Sequence, residues 1–153
     1  MTREEELEII LRVRAGDTDA FEALVLEHQN KVYSLALRMV GNEEDARDMA
    51  QEAFIRAFNS LASFRGESKF SVWLYRLTSN ICIDFLRGRA KRRTVSLSWE
   101  DEDGDRWTLT VTVEDYEIKR PIPDAGISIG STGNITVTLP DGEDMDEDNR
   151  ITV

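Results

Sequence analysis

The sequence predicts an α+β chain divided by segment: an all-α helical bundle of three to four helices, followed by a small acidic β-rich module of two hairpins. Three observations predict it. Apolar residues recur at steps of three and four through the first two-thirds of the chain, the period changes to two after Thr94, and the net charge of −11 falls wholly in the last third. Residues 1–96 carry 15 Lys+Arg and 15 Asp+Glu, whereas residues 97–153 carry 4 and 15. An acidic overall balance therefore says nothing against nucleic-acid binding by the first part. The expected division is a helical domain over 1–96, a β-rich acidic module over 97–140 and a tail over 141–153 that is too acidic to pack.

The first helix is expected from about Glu4 to Ala15, stopping at Gly16. A second opens at Asp17–Asp19 and carries Phe21, Leu24, Val25, Val32, Leu35, Ala36 and Met39 on one side before Gly41. The third starts after Asn42, a good capping residue followed by Glu43, Glu44 and Asp45, which suit the positive end of a helix dipole. Its stripe is Ala46, Met49, Ala50, Ala53, Phe54, Ala57, Phe58 and Leu61. After a short loop containing Phe64, Arg65 and Gly66, Ser68 is expected to cap a fourth helix reaching about Arg93. Val95, Leu97 and Trp99 then alternate with polar residues, as do Trp107, Leu109, Val111 and Val113 beyond an Asp103–Gly104 turn. A second alternating pair, Ile127 and Ile129 against Ile135, Val137 and Leu139, predicts another hairpin closed by Ser131–Asn134, with Pro121 and Pro123 between the two.

Several function classes fall away at this level. Cys82 is the single cysteine, so neither an internal disulfide nor a thiolate cluster can form, which suits a reducing compartment. Met1–Leu11 is acidic, and no continuous apolar run is long enough to cross a bilayer, so a cytoplasmic protein without membrane contact is expected. His28 and Cys82 suggest a packed histidine and a small apolar filler, not a catalytic pair. No nucleophile–base set and no glycine-rich phosphate loop occurs, so no catalytic residue, cofactor or metal is expected. The runs Asp101-x-Asp103-x-Asp105 and Asp144-x-Asp146-x-Asp148 imitate the start of a calcium loop. Both have Arg106 or Asn149 where the loop needs glycine, and the first has Thr112 where it needs a bidentate glutamate.

What remains is a set of surfaces. On the third helix Asp45, Asp48 and Glu52 share a face at steps of three and four, with Gln51 and Arg56 beside them; alone, this reads equally as a solvated acidic face. Phe64 and Phe70 flank the loop, Ser68 and Lys69 line it, and Trp73, Arg76, Asn80 and Arg87 fall near one stripe of the fourth helix. Aromatic surface, polar edge readers and cations together suit unpaired bases, for which stacking contributes roughly 1–3 kcal/mol each. Trp73 has the alternative of a core aromatic. The cluster Arg87, Arg89, Lys91, Arg92 and Arg93 either complements a helix C-terminus or contacts phosphates.

The residues GNEEDARDMAQEAFIRAFNSLASFRGESKFSVWLYRLTSNICIDFLRGRAKRR, preceded by RAGDTDAFEALVLEHQNKVYSLALRMVG, strongly resemble region two of the extracytoplasmic-function sigma factors of the sigma-70 superfamily, over about residues 9–97. The resemblance implies that Asp45, Asp48, Gln51, Glu52 and Arg56 dock on the clamp coiled coil of the largest subunit of core RNA polymerase. It also implies that Phe64, Arg65, Ser68, Lys69, Phe70, Trp73, Arg76, Asn80, Arg87, Arg89, Lys91, Arg92 and Arg93 capture the non-template strand of the promoter minus-ten element. An anti-sigma factor is a possible further partner. Region four, the helix-turn-helix domain that usually follows, finds no match in residues 97–153. Those residues are either an extension whose acidity aids solubility or an autoinhibitory segment folded over the Arg87–Arg93 cluster. The alternative function is a polymerase-binding or sigma-regulating interaction protein that does not open DNA.

Overall fold

The computed structural model describes residues 1–64, 66, 69–86, 93–122 and 126–138, with strand side chains described for residues 94–112. Four helices form as the periodicity predicts. Helix α1 (Arg3–Arg14) begins at a capping box that the sequence reading passed over: the Thr2 hydroxyl accepts from the Glu5 amide at 3.2 Å, and the Glu5 carboxylate accepts from the Thr2 amide at 3.4 Å. Gly16, at φ 107°, turns the chain into a 3-10 turn over Thr18–Ala20 and then α2 (Phe21–Val40). Gly41 ends α2 in the left-handed region at φ 76°, where a side chain would be strained. Asn42 caps α3 (Glu43–Ser60) by accepting from the amides of Glu44 and Asp45 at 2.9 and 3.1 Å. A 3-10 turn over Leu61–Ser63 follows, held to α1 by the Arg14 guanidinium, which donates to the Leu61 carbonyl at 2.9 Å.

Helix α4 (Phe70–Leu86) is the axis of the molecule. It packs against α2 and α3 on one side and against a sheet on the other. Every residue from Phe70 to Ser79 is buried. Ten consecutive residues make nearly three turns, so this stretch has no open face at all.

The sheet has three antiparallel strands in the order β1 (Arg93–Glu100), β2 (Arg106–Ile122) and β3 (Gly126–Thr138). The β1–β2 register pairs Val95 with Val111, Leu97 with Leu109 and Trp99 with Trp107. That alternation puts the apolar residues inside, while Thr94–Thr112, Ser96–Thr110 and Ser98–Thr108 join hydroxyls at 3.1, 3.1 and 2.9 Å on the outer face. The expected turn at Asp103–Gly104 is present, with Gly104 at φ 81°.

Two details differ from the sequence expectation. Ser131–Asn134 closes no hairpin; β3 runs straight through it and pairs along β2, from Thr138 opposite Thr108 to Gly126 opposite Ile122. The two hairpins of the module therefore share β2. Alternation alone cannot tell two short strands from one long one; β2 ends at Ile122 and β3 begins at Gly126. Pro121 is tolerated because β1 pairs only as far as Val113, leaving that end of β2 with one neighbour and a register shift between Ile118 and Ile122. Arg93, expected at the end of the fourth helix, instead opens β1 opposite Val113. Residues 139–153, including the acidic segment from 141, lie outside the described residues.

Sheet and helices share one core. Leu97, Trp99, Trp107, Leu109 and Val111 are buried in the same cluster as α2 and α4. The Trp99 ring meets Tyr75 edge-on at 4.8 Å and its indole N–H donates to the Ser71 hydroxyl at 3.2 Å. Arg38 of α2 donates to the Ser96 carbonyl of β1.

Candidate nucleic-acid and protein interfaces

Helix α3 buries Ala46, Ala53 and Ala57 against its neighbours, small residues that let the helices approach closely. The opposite side is open. Asp48 and Gln51 are exposed, Asp45 is half-buried, and Glu52 accepts from Arg56 at 2.8 Å one turn on, both about 40% exposed. This places the five residues expected to meet a protein partner on one accessible helical face. Ile55, 50% exposed, stands three residues beyond Glu52 and seven beyond Asp48. The sequence reading missed it, although the signal was there: an isoleucine off the apolar stripe of an amphipathic helix.

The loop and α4 present a different picture. Phe64, Phe70 and Trp73 converge, with ring centroids 5.4–5.7 Å apart. They are, however, 4%, 3% and 8% exposed, and Arg76 is 7% exposed and engaged within the protein. The expectation that these residues form an open aromatic and cationic surface is therefore corrected: the structure holds them in the interior. Asn80 is half-buried. Arg65, Ser68, Arg87, Arg89, Lys91, Arg92 and the side chain of Arg93 lie outside the described residues.

Lys69 is held by the sheet. Its ammonium sits in the acidic β1–β2 turn, 3.2 Å from Asp101, 2.9 Å from Glu102 and 3.0 Å from Asp103. Burial disfavours its charge, but the three carboxylates outweigh that and raise its pKa above the ordinary lysine value. Asp101 organises the turn: one oxygen accepts from the amides of Asp103 and Asp105, at 2.9 and 3.0 Å, and the other from the Trp107 indole at 2.8 Å. Burial works against its ionisation, yet hydrogen bonds from Trp107, the Asp105 amide, Lys69 and the Asp103 amide hold its carboxyl below the usual range. Among the described residues, Asp101, Asp103 and Asp105 are the one acidic trio close enough to share a cation, and Lys69 supplies a cation to two of them.

His28 is also an interior residue. Its ring nitrogens lie 3.0 Å from the Tyr75 hydroxyl and 3.1 Å from Glu6, bridging α1, α2 and α4. Burial first, then Glu6 and Glu27, raise the Tyr75 pKa, so the phenol stays neutral. Burial pushes the Cys82 thiol up to about 12, which makes it a filler and not a nucleophile. A polar cavity of about 460 Å³ lies between the His28–Tyr75 pair and the β1 end, rimmed by Glu27, Glu100 and Glu102. No helix among the described residues is long and apolar enough to cross a membrane.

Comparison with known proteins matches residues 24–92 to Sigma-70 region 2. Residues 24–92 are a region 2 of the extracytoplasmic-function type. Over 92 residues the chain is 42% identical to the RNA polymerase sigma-H factor of Pseudomonas aeruginosa, covering 60% of this chain and 48% of that protein. It is 49% identical over 78 residues to the sigma factor SigW of Bacillus subtilis (51% and 42% covered) and 44% identical over 84 residues to the sigma-E factor of Escherichia coli K12 (55% and 44%). The chain thus spans about half the length of the curated relatives it matches. A solved structure of an engineered region 2 of sigmaE in complex with GTAAAA is 45% identical, covers 51% of this chain and 81% of that one, and superposes with a TM-score of 0.48. The region 2 match ends at Arg92, one residue before β1 begins, so the sheet lies wholly outside it.

Proposed function

We propose that this chain is a non-enzymatic transcription-initiation protein of the cytoplasm, whose residues 1–96 act as one unit. In this reading α3 docks on the clamp coiled coil of core RNA polymerase through Asp45, Asp48, Gln51, Glu52 and Arg56. The loop and α4 capture unpaired bases of the promoter minus-ten element through Phe64, Lys69, Phe70, Trp73, Arg76 and Asn80, with Arg65, Ser68 and the Arg87–Arg93 cluster serving bases and phosphates. The observation that carries the reading is the region 2 match, and the open α3 face supports its docking half. Charge complementarity with a basic partner governs register and encounter rate more than affinity. Ile55 adds an apolar centre to that face.

Co-purification with core polymerase tests the proposal. An Asp48→Ala, Gln51→Ala double variant should lose at least ten-fold in retention while keeping its helical content; equal retention rejects the docking role. A second reading, a polymerase binder that does not open DNA, is favoured by the burial of Phe64, Phe70, Trp73 and Arg76. Binding of single-stranded oligonucleotides (the hexanucleotide GTAAAA and a random-sequence pool) separates the two. Asn80→Ala should weaken that binding if α4 reads bases and leave it unchanged if the chain binds only polymerase.

A further inference from the structure

From the packing of β1 and β2 on the helices, we infer that the sheet is an intramolecular cover which holds this region 2 in a form unable to take up single-stranded DNA. This rests on the DNA-capture reading above. Three independent contacts converge on the cover. The acidic β1–β2 turn encloses the Lys69 ammonium with Asp101, Glu102 and Asp103, so a side chain expected to line the base site already has anionic partners. Trp99 lies against Tyr75 and is hydrogen-bonded to Ser71, placing an aromatic ring of the sheet on α4 itself. Strands β2 and β3 also pack on α4, and the buried run Phe70–Ser79 leaves no face through which a base could enter.

Carboxylates of the turn occupy the Lys69 ammonium, one of the side chains of the proposed base site, and the Trp99 indole anchors the sheet to α4 at Ser71 and Tyr75. A ligand that binds only the uncovered form has its affinity lowered by the fraction of molecules uncovered. Weakening the cover must then tighten DNA binding. The acidic end of the chain is not needed for this effect, because the ordered turn already supplies the charge.

Trp99→Ala tests the inference at constant net charge, with Thr110→Ala on the outer face of the sheet as control. Each full-length protein is titrated against labelled GTAAAA and the random pool, and helical content is checked by circular dichroism. Trp99→Ala should bind at least ten-fold more tightly than the unaltered chain, and Thr110→Ala should bind as the unaltered chain does. Equal binding by all three leaves DNA capture standing and overturns the cover. Absence of binding by all three, helices intact, sinks both. A second measurement uses the unaltered chain alone: the Trp99 indole N–H, followed by nuclear magnetic resonance, should lose its hydrogen-bonded shift and exchange protection as DNA is added at high concentration. DNA that binds without disturbing that resonance overturns the inference.

Discussion

Lys69 shows how a charged side chain can be satisfied wholly within the chain. With Asp101, Glu102 and Asp103 all within 3.2 Å, its charge is offset inside the protein, and removing it leaves three carboxylates without their counter-ion. Lys69→Ala should therefore destabilise the folded chain by about 2 kcal/mol in urea denaturation, the scale of a lost charge-assisted hydrogen bond. The same contacts set a pH window. Asp101 has its folded pKa below the free value of 3.8, so its contribution is complete above that pH and disappears as the pH falls through the lower folded value. Lys69 has its folded pKa above 10.5, so its contribution is complete below 10.5 and is lost only in stronger alkali. Between pH 5 and 3 the unaltered chain should accordingly lose more stability than Asp101→Asn, which has no carboxyl to protonate; parallel curves would exclude Asp101 as the acid-sensitive group. Cys82 offers a simpler check. Burial and a thiol pKa of about 12 predict that it reacts with a disulfide reagent only on the timescale of unfolding.

At the level of elements, the helices were legible from apolar residues at steps of three and four, bounded in places by a start or stop signal. Asn42 is the strongest, and Asn42→Ala should cost about 1 kcal/mol in thermal or urea melts, since it strands the Glu44 and Asp45 amides together. Helical periodicity fixed the stripe of α3 and hence its open face. The β1–β2 hairpin was equally plain, since period-two alternation met an aspartate–glycine turn. What stayed hidden was long-range. Nothing local in Trp99 announces Ser71, 28 residues away, and nothing in the acidic turn announces Lys69. Both are consequences of where the sheet docks, which depends on the fit of two finished surfaces. Phe64, Phe70 and Trp73 lie together in the interior, and for Trp73 the sequence offers a core aromatic as the alternative.

Taken as one body, the molecule is built from two kinds of contact that differ in what they require. Helices α2, α3 and α4 pack on one another, and Leu24, Leu35, Ala53, Ala57, Leu74 and Leu77 are among the buried residues they bring to the core. The sheet depends on the helices far more, because a three-stranded sheet with one apolar face must cover that face. Among the described side chains its attachment includes Leu97, Trp99, Trp107, Leu109 and Val111, the Lys69 latch, the Trp99–Ser71 bond and the Arg38 bond. At roughly 1.5–3 kcal/mol for each large apolar side chain, this holds the cover firmly shut, yet it remains smaller than the whole fold. Release of the sheet should therefore be a partial opening of lower free energy than global unfolding. Native-state hydrogen exchange in low concentrations of urea measures this: amides of β1 and β2 should converge on one opening energy, below that shared by α2 and α4. If strands and helices instead merge on a single isotherm, the sheet cannot leave while the helices stand, and a chain so built could bind promoter DNA only by unfolding.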